Sequence, residues 1–124
     1  AFLKHYQANG KNDIINVGRG LNFSTRDENL HSIAGAHCFK FKKANSNLSL
    51  DQEEELARKL KDCAHKILLH ELKIIELIFS EGKIEGITAL QMEKFVKSRL
   101  NLCLENLGYA KEFEVKDNPI AEWF

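Results

Sequence analysis

The sequence predicts an all-α fold of three helices followed by an extended strap. Three observations carry this. The one proline in 124 residues stands at position 119, so no earlier helix is interrupted by one. Two capping boxes, Ser49 with Gln52 and Thr88 with Gln91, mark helix starts. Apolar residues also recur at helical spacing through most of the chain.

The opening stretch AFLKHYQANGKND reads as the last turns of a helix, with Phe2, Leu3 and Tyr6 on one side and a Gly-Lys-Asn-Asp turn after them. From Ile14 to Lys43 the pattern fits one helix, clearest from Leu21 onward, because Gly18 and Gly20 cost about 1 kcal/mol each before it. ANSNLS (44–49) is a turn. The second helix then runs to Ser80, with Leu56, Leu60, Cys63, Ile67, Ile74 and Ile78 as its inner stripe and Gly82 and Gly86 ending it. The third helix runs from Thr88 to Asn106, lined by Leu90, Phe95, Val96, Leu100, Cys103, Leu104 and Leu107, and Gly108 stops it. YAKEFEVKDNPIAEWF alternates around Phe113 and Val115 and then meets Pro119, which describes a strap.

Basic and acidic residues balance at 18 each and are mixed along the chain. No basic patch offers itself to nucleic acid or to an anionic membrane surface. The most apolar run, Ile74 to Phe79, contains Glu76 and is too short to span a bilayer. Cys38, Cys63 and Cys103 are odd in number, widely spaced and form no C-x-x-C pair. They predict buried thiols in a reducing compartment, the cytoplasm. Nucleophile elbows and phosphate-cradling loops are absent, and Gly18-Arg19-Gly20 lacks the strand such a loop needs.

The chemistry-bearing string is STRDENLHS (24–32). Residues three apart on a helix lie within roughly 60° of each other, so Glu28 and His31 share a face. A carboxylate and an imidazole so placed are half of a metal site. The bland alternative is a solvated glutamate beside an ordinary histidine. Asp62 and His65 read as an exposed helix face between Lys61 and Lys66, His37 as a core-edge histidine, and His70 with Glu71 as a buried polar pair near the inner stripe. Zinc sites use three or four ligands and carboxylate-bridged di-iron sites six. This chain offers one Glu-x-x-His, so either the motif is incidental or the remaining ligands come from another chain.

The string S-T-R-D-E-N-L-H resembles the second Glu-x-x-His helix of the class I ribonucleotide reductase small subunit, which reads S-x-R-D-E-x-L-H. LHELKIIELIFSEGKIEGITALQMEKFVKSRLNLCLENLG is similar to the next helical hairpin of that family, including its glycine turn and R-x-N spacing. KDNPIAEWF resembles its N-P-[IL]-x-x-W strap. The resemblance covers residues from about 18 to the end, in the family's order.

The resemblance implies a ferritin-like di-metal carboxylate bundle, of which this chain is the C-terminal part. Glu28 and His31 match the family's last carboxylate ligand and second histidine ligand. Asp27 matches an outer-sphere aspartate of the radical-transfer route, and Arg26 a supporting arginine. The family's other ligands, and its radical tyrosine, lie upstream, so neither Tyr6 nor Tyr109 takes that role. Residues 1–124 are therefore expected to form part of one domain completed by an N-terminal partner chain, a split or cleaved small subunit. The implied cofactor is a di-metal centre of iron or manganese shared between the pieces. The implied partners are that N-terminal fragment, a second copy of the small subunit and the large catalytic subunit. A tail carrying a tyrosine is expected beyond Phe124. The alternatives are a ferritin-like di-iron oxidase acting on another substrate, and a metal-free helical interaction module in which Glu28 and His31 are incidental.

Overall fold

The computed structural model describes residue 10 and residues 14–117. Among these the structure is helical, with α1 spanning Ile15–Ala44, α2 Leu50–Ser80 and α3 Ala89–Asn106, and no strand. The expected helical ending before Gly10 and the N-P strap after Asp117 lie outside the described residues.

Both capping boxes form. Ser49 Oγ accepts the Gln52 N–H at 3.3 Å and Gln52 Oε1 accepts the Ser49 N–H at 3.0 Å. Thr88 and Gln91 repeat this at 3.2 and 2.9 Å. Each box satisfies N–H groups that the first helical turn leaves without partners. The first helix has no side-chain cap at Ile14, and it ends where Asn45 Nδ2 and Ser46 Oγ donate to the carbonyls of Phe41 and Lys42.

The third helix ends in a Schellman turn. The Tyr109 N–H reaches the Leu104 carbonyl and the Gly108 N–H the Glu105 carbonyl, both at 2.9 Å. This geometry needs a left-handed residue, and Gly108 supplies it at φ +89°. The chain is thereby turned back along α3 as the expected strap.

The core lies between α2 and α3, which form an antiparallel hairpin. Ala64, Leu68, Leu104 and Phe113 make one buried cluster; Ile75, Ile87 and Met92 make a second. Leu72 and Val96 pack against both and join them. The strap contributes Phe113 directly to this core, with Val115 packed beside it.

The inner stripe of α2 differs from the expected one by about one position. The helix packs through Leu60, Ala64, Leu68, Leu72, Ile75 and Phe79, while Cys63, Ile67 and Ile74 face outward. Ile67, Leu69, Ile74 and Leu77 clothe the outer side in apolar groups, so a 3.6-residue period fits two stripes equally well. The stripe that packs includes Ala64, buried with Leu68 against Leu104 and Phe113. On α3, Leu90 is exposed where an inner position was expected, and Met92 and Asn101 are buried instead. All three thiols are exposed, which corrects the expectation of buried cysteines.

The first helix touches this hairpin near its C-terminal end. Phe39 meets the Tyr109 ring at 6.3 Å, Lys43 sits 5.1 Å over the same ring, and Lys43 pairs with Glu53 at 3.9 Å. The Tyr109 hydroxyl is buried and finds no hydrogen-bond partner among the described residues. Along α1 only Ala36 is buried, and Val17, Leu21, Phe23, Leu30, Ile33 and Phe41 are exposed. No described helix is long and apolar enough to cross a membrane.

Candidate metal centre

The string around Asp27 lies mid-helix in α1, where the backbone carbonyls and amides are already paired and only side chains are free for chemistry. His31 Nδ1 stands 3.7 Å from Glu28 Oε2 across three residues, and His31 Nε2 stands 4.0 Å from Asp27 Oδ1 across four. Both separations exceed hydrogen-bond length. The helix thus gathers two carboxylates and one imidazole on a single face without locking them to each other.

These side chains are wet. Asp27, Glu28 and His31 retain 68%, 73% and 64% of their side-chain exposure. Hard carboxylate oxygen with imidazole nitrogen is a donor set that suits iron or manganese. Among the described residues no group of three or more His, Cys, Asp or Glu side chains is arranged to hold a metal ion. Asp27, Glu28 and His31 are thus a pair of carboxylates and one imidazole close together on an exposed face.

The remaining histidines are distributed differently from expectation. His37 is exposed and not at the core edge. His70 and Glu71 stand 3.9 Å apart with His70 largely in solvent, so no buried polar pair forms. Asp62 and His65 do lie on an exposed face, but they answer to different partners. Asp62 accepts from Arg58 at 3.0 Å, and Arg58 also makes a bidentate pair with Glu55. Arg58, with Lys59, holds the Glu55 carboxyl below its ordinary range.

His65 reaches across to the strap, with Nε2 3.0 Å from Glu112 Oε1 and its ring edge-on to Phe113 at 4.9 Å. Lys61 Nζ lies 2.8 Å from the other Glu112 oxygen. Lys61, and after it His65, hold the Glu112 carboxyl below its usual value.

Sequence reasoning missed the polar centre of the hairpin. Asn101 is only 5% exposed and makes three hydrogen bonds to the strap. Its Nδ2 donates to the Phe113 carbonyl at 2.8 Å, and its Oδ1 accepts the N–H groups of Glu112 and Phe113 at 3.0 Å. The available signal was an asparagine one residue after Leu100 and three before Leu104, on a stripe otherwise apolar.

The profile described as "Ribonucleotide reductase, small chain" matches residues 1–119. A probable ribonucleoside-diphosphate reductase small subunit (048L) of Invertebrate iridescent virus 3 is 27% identical over 109 residues, covering 84% of this chain. The chain spans 27% of that relative's length. No solved structure matches the chain significantly.

Proposed function

The chain belongs to the ribonucleotide reductase small chain family, and from that premise we propose that it supplies one edge of a di-metal centre in a ribonucleoside-diphosphate reductase. Family membership implies a ferritin-like helical bundle, and the three helices agree with it. The finer reading is that residues 1–124 are the C-terminal portion of one such domain. An N-terminal partner chain completes it, and it works as a dimer beside the large catalytic subunit in the cytoplasm.

One observation carries this reading: Asp27, Glu28 and His31 converge on one exposed face of a helix that the rest of the described chain leaves uncovered. Glu28 and His31 are the ligands we assign. A bound iron or manganese pair would supply the oxidising equivalent used to reduce ribonucleotides to deoxyribonucleotides. Asp27 is assigned a place outside the ligand sphere, as the hydrogen-bond acceptor that orients the other metal's histidine and belongs to the radical-transfer route. The apolar residues flanking the string, Leu21, Phe23, Leu30 and Ile33, supply the water-excluding wall once a partner covers them.

Elemental analysis tests the proposal. The isolated chain is expected to hold no stoichiometric metal pair, and the chain joined with its N-terminal region is expected to hold two metals. Two metals on the isolated chain would overturn the shared-site reading.

A further inference from the structure

The strap after Gly108 is attached to the hairpin in two chemically different ways. Toward α3 the attachment is uncharged and buried, through the three Asn101 hydrogen bonds to residues 112 and 113. Toward α2 it is ionic and partly exposed, through Lys61 and His65 on the Glu112 carboxylate. Phe113 sits between them in the core. We propose that Glu112 is a releasable clasp between the strap and α2, and that Asn101 is a permanent one between the strap and α3.

The two attachments respond to different conditions. A neutral amide buried to 5% exposure is insensitive to salt and to pH in the ordinary range. An ion pair at a half-exposed surface is weakened by screening and by any competing charge. The groups facing Glu112 are the Lys61 ammonium and the His65 ring nitrogen, both from α2. The other strap charges are engaged elsewhere, Lys111 with Glu105, Lys116 with Glu114 and Asp117 with Lys94. Release of Glu112 thus removes the charged tie between α2 and the strap, while Phe113 stays packed between the helices and Asn101 holds the strap on α3. A competing anion offered to Lys61 and His65 by a docking protein would have the same effect as salt. The inference concerns the hairpin alone and does not depend on the metal reading.

Two measurements on the full-length chain in its natural assembly separate the attachments. Acylation of Lys61 and His65 is followed by mass spectrometry, with Lys66 and His70 as internal references. Hydrogen exchange is followed at the amides of Glu112 and Phe113. In Glu112→Gln, acylation of Lys61 and His65 is expected to rise several-fold and to lose its salt response, while both amides keep their protection within about twofold. In Asn101→Ala, the two amides are expected to lose protection by tenfold or more, on the order expected for losing a buried hydrogen bond. Asn101→Asp keeps the accepting oxygen and serves if the alanine variant fails to fold; it should retain more of that protection. The proposal is overturned if Glu112→Gln leaves the acylation rates and their salt response unchanged. It is equally overturned if that variant deprotects the amides as strongly as the Asn101 variants do.

Discussion

Asn101 and Phe113 are bonded in both directions: the amide of Asn101 donates to the Phe113 carbonyl and accepts the Phe113 N–H, at 2.8 and 3.0 Å. This pairing imitates a rung of sheet with a side chain standing in for one strand, and it lets an extended segment lie against a helix with its backbone satisfied. Asn101→Ala would strand two N–H groups and a carbonyl in the core. A destabilisation of about 2–4 kcal/mol is expected, measured as the shift in urea midpoint at unchanged slope.

The two faces of α3 predict opposite sensitivities. Leu104 is 3% exposed and joins both α2 and the strap, whereas Leu90 is 60% exposed. Leu104→Ala is expected to cost about 2–4 kcal/mol through lost burial and a cavity. Leu90→Ala is expected to stay within about 0.5 kcal/mol in the isolated chain. Equal effects in the same denaturation series would show that the hairpin packs through a different stripe.

Acid should act first on the strap and on the start of α2. Glu112 and Glu55 both have carboxyls held below the ordinary value of 4.5, by Lys61 and by Arg58 respectively. A lowered carboxyl binds fewer protons folded than unfolded, so its contribution is present above pH 4.5 and is lost as pH falls through the folded value. Stability is therefore expected to be flat in this respect at neutral pH and to decline below pH 4.5. Glu112→Gln should make that decline shallower in thermal melts across the acid range.

The face on α1 predicts a division of labour among its three polar residues. In the completed assembly, Glu28→Ala or His31→Ala is expected to lower metal content directly. Asp27→Asn should leave metal affinity within about tenfold to a hundredfold and reduce ribonucleotide reduction far more. Metal analysis alongside turnover separates the roles. Loss of metal in Asp27→Asn with retention in His31→Ala would reverse the assignment.

The fold was legible wherever local chemistry decided it. Ser49, Gln52, Thr88 and Gln91 bond only to their own helix starts, so their meaning is complete within four residues. Gly108 likewise announces its turn. What sequence could not supply was the choice among competing apolar faces on α2, since Ile67 and Ile74 are as apolar as Leu68 and Ile75 but lie outside the hairpin. The exposure of Cys63 was lost for the same reason, since it lies one position from the buried Ala64. The proximity of Asp27, Glu28 and His31 follows from helical spacing alone. Asn101 escaped because its partners, Glu112 and Phe113, are brought to it by the Schellman turn and not by periodicity.

The concentration of both core clusters between Leu60 and Val115 has a kinetic consequence. Two capped helices joined by a short turn meet through contacts close in sequence, and such contacts close quickly because little loop entropy is lost in forming them. The hairpin with its strap is thus expected to be the early-folding unit. Destabilising changes at Leu68 or Leu104 should slow folding, whereas changes at Phe23 or Leu30 should leave the rate untouched. α1 precedes the hairpin in the chain yet adds nothing to either core cluster, so the string bearing Asp27, Glu28 and His31 is expected to settle after the hairpin.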